Sequence, residues 1–207
     1  MITAHTDGAL RLTAGALRLV EGRTTSPKTA DIEPYVEAVS DHCPYLAPSV
    51  ERDLTGWTVY EAAGDPDDVE AEVFHAGVQA AEWVRPLATR RHGVLVCENI
   101  VILGGHEGLL TWPHWVLKNL YGPVGLMFGK FRAGEQRVSR DGRGIPEPPL
   151  SFLPVRVAIR PRDPRFLAAT PDLAATVAVA VDDGRDVFED FPKDWKAVRA
   201  WAKGLLA

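Results

Sequence analysis

The sequence predicts an α+β or α/β fold, a single layered domain with a mixed sheet of about four to six strands flanked by helices. Three observations point there. Short runs rich in β-branched and aromatic residues alternate with longer stretches that carry apolar residues at helical spacing. The chain of 207 residues is long enough to bury one core and enclose a small-molecule cavity. Its composition, 46% hydrophobic and 25% charged, is that of an ordinary globular domain, with no internal repeat or low-complexity tract.

Residues 1–30 hold scattered leucines and arginines and then Thr24-Thr25-Ser26-Pro27-Lys28, and are expected to form a weakly held arm before one α+β domain over 31–207. Leu10, Leu12, Leu17, Leu19 and Val20 suit a short hairpin or a helix alike. Asp31 is a candidate cap for a helix over 31–40, with Pro34 in its first turn, where a missing N–H costs little. Residues 56–62 have strand composition, and Gly64-Asp65-Pro66-Asp67 closes that strand. A longer helix then begins near Asp67 or Asp68, with Val69, Val73, Ala76, Ala80, Trp83, Val84 and Leu87 on one face. His75 falls on its polar face.

A second strand is expected over 94–96, continuing or pairing again through 100–103, with Cys97-Glu98-Asn99 as its turn or bulge. Gly104-Gly105-His106-Glu107-Gly108 is a loop without the Lys-Ser or Lys-Thr of a phosphate-binding loop. A helix follows from about Thr111 to Leu120, stopped by Gly122-Pro123. Residues 124–131 form a third strand, 132–149 a long polar loop rich in Gly, Pro and Arg, and 152–159 a fourth strand. Helices are expected from Asp163, from Pro171 through Val181, and from Asp194-Trp195 to Leu206.

The formal charge of −5 argues against nucleic acid, which calls for a basic face. Two cysteines, Cys43 and Cys97, are too few for a disulfide framework, and no start resembling an export signal or run of ~18 apolar residues appears. A cytoplasmic protein with no membrane span is therefore expected. The usual hydrolase elbow, zinc-peptidase helix, redox dithiol and nucleotide-binding loop are absent from the sequence.

The most distinctive stretch is Asp41-His42-Cys43-Pro44-Tyr45-Leu46. Pro44 biases Cys43 toward extended backbone, so the thiol sits on a stiff corner suited to a metal. Beside this stands the more frequent case, a free cysteine acting as a small buried hydrophobe. Cys97 is most simply core or turn packing. A cysteine enzyme pairing Cys43 with His114 or His42 ranks below a metal site.

Cys43-Pro44-Tyr45-Leu46, followed by a Trp-bearing strand and a later Gly-x-Phe-like turn, resembles an uncharacterised actinobacterial domain family of natural-product gene clusters. More distantly, the chain is similar to small bacterial heme-dependent amine and guanidine N-oxygenases, which carry a Phe-Pro-Cys segment, a Trp-bearing helix and an Arg-rich Ser-Arg stretch. The corresponding residues are His42-Cys43-Pro44, Trp112 to Tyr121, and Arg137-Val138-Ser139-Arg140, and the likeness spans roughly 31–169. Asp41-His42 stands where those enzymes have Phe-Pro.

The resemblance implies heme b as cofactor, with Cys43 as the iron ligand and His42, His106 or His114 as alternatives. His114 and Trp115 would flank the macrocycle, and Arg137 and Arg140 would meet its propionates. Arg156 and Arg160, an even number of positions apart, are a candidate cationic pair for a substrate carboxylate or a propionate. Glu98, Glu107 and Glu135 are weaker candidates for a substrate amine. The expected function is oxidation of the nitrogen of a small amine, amino acid or guanidine in secondary metabolism, a monooxygenase reaction, or N–N bond formation from an N-hydroxylated amine. Expected partners are that substrate, a redox donor and a second copy of the chain. A non-catalytic small-molecule or partner-binding protein and a cofactor-free cysteine enzyme are the alternatives.

Overall fold

In the computed structural model, which describes residues 15–139 and 142–206, the first described element is a strand. β1 (Leu17–Thr24) leads to α1 (Glu33–Ser40), with Pro34 in its first turn, and to the short α2 (Leu46–Val50). β2 (Thr55–Ala62) feeds α3 (Pro66–Val84), whose start is fixed by the Asp65 side chain accepting a 2.9 Å hydrogen bond from the Asp67 N–H. β3 (Cys97–Gly104) and α4 (Thr111–Tyr121) follow. Then come β4 (Leu126–Phe128), the two-residue β5 (Arg137–Val138) and β6 (Gly144–Ile145), and β7 (Ser151–Val157). α5 (Asp163–Phe166), α6 (Pro171–Val179) and α7 (Trp195–Gly204) close the chain, the last capped by Asp194 on the Ala197 N–H at 3.0 Å.

Among the described residues this is an α+β fold with seven helices and a mixed five-stranded sheet in the order β1-β2-β3-β7-β4. β2 and β3 are parallel and joined by α3, as a parallel pair demands a crossover; the other neighbours are antiparallel. The central β3 carries the unbroken run Ile100-Val101-Ile102-Leu103 because both of its faces are covered. On one face, Ile100, Ile102, Leu153 and Val155 meet Val73, Ala81 and Val84 of α3, Val116 and Leu117 of α4, and Val198 and Ala202 of α7. Each such fully buried aliphatic side chain contributes about 1.5–3 kcal/mol. On the opposite face a smaller cluster gathers Trp57, Val59, Val101 and Phe152 with Ile32 and Tyr35 of the α1 region.

Several expectations shift. Residues 17–24 are not a loose arm but an edge strand, held by β2 and by Glu72, which accepts from the N–H groups of Ala16 (2.8 Å) and Leu17 (2.7 Å). Leu10 and Leu12 lie outside the described residues. Cys97-Glu98-Asn99 is strand, not turn, because all three pair with β2 and β7; residues 93–95 form a 3-10 turn instead. The long loop holds the β5–β6 pair. Among the described residues no helix is long and apolar enough to cross a membrane.

Candidate functional site

The sheet face away from α3 and α4 floors a cavity of about 450 Å³. Two cross-strand rows build that floor. Thr55, Cys97, Arg156 and Met127 stand side by side on β2, β3, β7 and β4. One step along lie Trp57, Asn99 and Pro154, with Gly129 donating its N–H to the Pro154 carbonyl at 2.9 Å. The strand period of two brings these residues to one face. Tyr35 and Val39 of α1, Cys43, Leu46 and Ser49 of α2, and Phe166 of α5 complete the walls.

Pro154 shapes the open side. A strand residue points its N–H and C=O toward the same neighbour, so Pro154 offers a carbonyl but no N–H toward β4. The ladder of β4 and β7 ends there at Phe128 and resumes only as a bridge from Phe131 to Phe152. The interruption is Gly129-Lys130. Beyond it, the Phe131 and Phe152 rings stack at 4.7 Å with 5° between planes, and the Arg137 guanidinium lies 5.0 Å from the Phe131 centroid.

Four sequence-selected residues, Cys43, His114, Arg137 and Arg156, line this one cavity. His114 on α4 is anchored by Nε2, 3.2 Å from the Phe128 carbonyl oxygen. Burial, reinforced by Lys118 and Lys130, holds its pKa down at about 3, so the ring is neutral; the carbonyl only accepts, so Nε2 carries the proton and Nδ1 keeps its lone pair. Cys97 is pushed up to about 12 by burial and remains a thiol. Tyr35 is raised to about 12, by burial first, and its buried hydroxyl has no partner among the described residues.

Arg137 donates to Glu135 at 2.7 Å and to the Lys130 carbonyl at 2.6 Å. Arg156 forks onto both oxygens of Asp163 at 2.8 Å and also bonds the Val157 carbonyl, so its charge is already matched inside the protein. Arg160 is exposed and does not join it: β7 ends at Val157, and strand alternation stops with the strand. Trp115 faces the helical layer, where its indole N–H donates to the Ala202 carbonyl at 3.0 Å. His106 lines a separate groove and lies 3.8 Å from Glu70. His42 is not on the cavity, and its Nδ1 is buried without a partner. Glu98 is turned to the other face, bonded to Thr58 (2.9 Å) and Arg23 (2.7 Å). Arg140 lies outside the described residues.

Sequence reasoning gave no site role to Trp57, Tyr35 or Lys118. Lys118 had a signal, since it stands one helical turn after His114. No group of three His, Cys, Asp or Glu able to hold a metal ion occurs among the described residues. A bare ion is thus poorly served. The Cys43 thiol and the neutral His114 imidazole beside apolar walls would suit an iron that brings its remaining ligands in a macrocycle. Set against protein-family models, curated proteins and solved structures, the chain matches none of them.

Proposed function

We propose that the cavity takes heme b on Cys43 and that the protein oxidises the nitrogen of a small amine, amino acid or guanidine, or joins two nitrogens starting from an N-hydroxylated amine. The observation that carries this reading is the meeting of Cys43 and His114, from distant parts of the chain, on one aromatic-walled cavity. A thiolate-ligated heme supplies activation of O2 or peroxide. The chain's own residues set the surroundings. Trp57 and the Phe131–Phe152 stack exclude water, and His114, neutral at working pH, offers an acceptor at Nδ1. Tyr35 holds a hydroxyl proton that is hard to remove.

The test is an absorption spectrum of protein expressed with a heme precursor, before and after reduction under carbon monoxide, for wild type and Cys43→Ala. A long-wavelength thiolate band that the substitution removes upholds the proposal. A shorter-wavelength band indifferent to Cys43 moves ligation to a histidine, with His114 first. Colourless protein that binds added hemin no better than albumin does refutes it.

A second reading, a non-catalytic small-molecule carrier, draws on one observation. Among the cavity groups with displaced titration, Cys97, Tyr35 and His114 move away from neutrality, which suits those three to binding better than to proton transfer, while Lys118 and Lys130 are lowered from the ordinary lysine value. The cysteine-enzyme reading is weakened by the same fact, because a base of pKa about 3 does not take a thiol proton.

A further inference from the structure

Two ammonium groups share the cavity with no carboxylate of their own. Lys118 lies on α4 one turn after His114, and Lys130 lies in the break that Pro154 makes after β4; both line the cavity and both are half-buried. Neither ammonium group forms a hydrogen bond or ion pair among the described residues. The neighbouring cations differ. Arg156 is matched by Asp163 and Arg137 by Glu135. Glu135 is felt at Lys130, but its Oε2 already accepts from Arg137 at 2.7 Å and from the Arg132 N–H at 3.4 Å. Burial lowers the pKa of both lysines; Lys130 lowers that of Lys118 further, and Arg132 and Arg137 lower that of Lys130. His114, which lines the same cavity and feels both lysines, is neutral and offers no negative charge.

Partly desolvated like charges are unfavourable unless something of opposite sign joins them. Among the described residues no carboxylate bonds either ammonium group, and the space beside them is a cavity. We propose that Lys118 and Lys130 form the anion-binding end of this cavity, and that its ligand carries one or two carboxylates on a flat apolar body lying against Trp57 and the Phe131–Phe152 stack. A phosphate is less suited. The glycine loop at 104–108, just before the N-terminus of α4, lines the other groove, so the backbone donors that serve phosphate are not at this end. The inference rests on the proposal that the cavity binds a ligand, and it names that ligand's chemistry. The carboxylate has two sources, a porphyrin propionate or the carboxyl group of an amino-acid-like substrate.

The test uses matched acid and neutral probes on the ligand-free protein: hemin against hemin dimethyl ester, and 3-phenylpropionate against 3-phenylpropionamide. Each pair is titrated into wild type, Lys118→Met, Lys130→Met and the exposed-lysine control Lys196→Met, with thermal melts confirming folding. The expected result is that at least one acid binds wild type tenfold or more tightly than its neutral counterpart, that either cavity substitution abolishes most of that preference, and that the control keeps it. Preference confined to hemin assigns the lysines to propionates; preference confined to phenylpropionate assigns them to substrate. Acid and neutral probes binding alike, no binding of any probe, or a preference that survives both lysine substitutions overturns the inference. Failure of the heme proposal is separate. Hemin refused while phenylpropionate discriminates sinks the heme reading alone, and a thiolate-ligated heme with no acid preference sinks the lysine inference alone.

Discussion

Gly129 and Pro154 are fitted to each other: a Cβ on Gly129 would stand 2.8 Å from Pro154 Cγ. The requirement is steric, because Gly129 is not among the positive-φ glycines. It sets where β4 stops and where Lys130 enters the cavity wall. Gly129→Ala is expected to cost about 1–3 kcal/mol through overpacking. Pro154→Ala in the same chain should return most of that loss. Additive losses in denaturant titrations of the singles and the double would mean the two residues are not coupled.

Asp163 is 1% exposed and binds Arg156 through both carboxylate oxygens, tying the end of β7 to α5. Removing the acid strands a cation whose side chain is only partly solvated. Asp163→Ala should therefore lose about 2–3 kcal/mol, less than for a fully buried pair because Arg156 retains some water contact. Arg156→Met with Asp163→Leu, an apolar replacement of both, should recover most of it. Equal stability of wild type and Asp163→Ala in urea unfolding would remove the ion pair from the account.

His114 makes stability depend on pH in a definite direction. Its folded pKa is lowered from 6.5 to about 3, so between those values the unfolded chain binds a proton that the folded chain does not. Stability from this group is complete above pH 6.5 and falls as the pH drops toward 3, by at most about 1.4 kcal/mol per pH unit. His114→Gln, which keeps a donor for the Phe128 carbonyl, should flatten that slope. An NMR titration in which the His114 ring protonates near pH 6 would contradict the assignment.

Cys97 and Cys43 both line the cavity, yet burial holds Cys97 as a thiol to about pH 12. Only thiolate reacts readily with iodoacetamide. In native protein at pH 8, Cys97 should stay unmodified through a period that fully alkylates it in urea, as read by peptide mass spectrometry. Rapid native labelling of Cys97 would show that its surroundings are wetter than the structure has them.

The sequence by itself determined the elements that carry their own local signals. Period places a helix from near Asp67 or Asp68, which the structure begins one residue earlier at Pro66 behind Asp65; Asp194 opens α7, and the apolar run at 100–103 is strand. Cys43-Pro44 stood out locally and does reach the cavity. Tertiary structure decided what local pattern does not encode. β1 is a strand only because β2 and the Glu72 carboxylate lie beside it, since three of its eight residues are charged and none is buried. Even spacing put Arg156 and Arg160 together, but the strand ends between them; Trp115 and His114 are adjacent in sequence, yet a helix turns one to the core and one to the cavity. The Lys118 and Lys130 pair depends on a ladder broken by Pro154 of β7, three strands after β4 in the chain and next to it in the sheet. A side chain's period tells which face it shares with its neighbours; only long-range pairing and packing decide what that face meets.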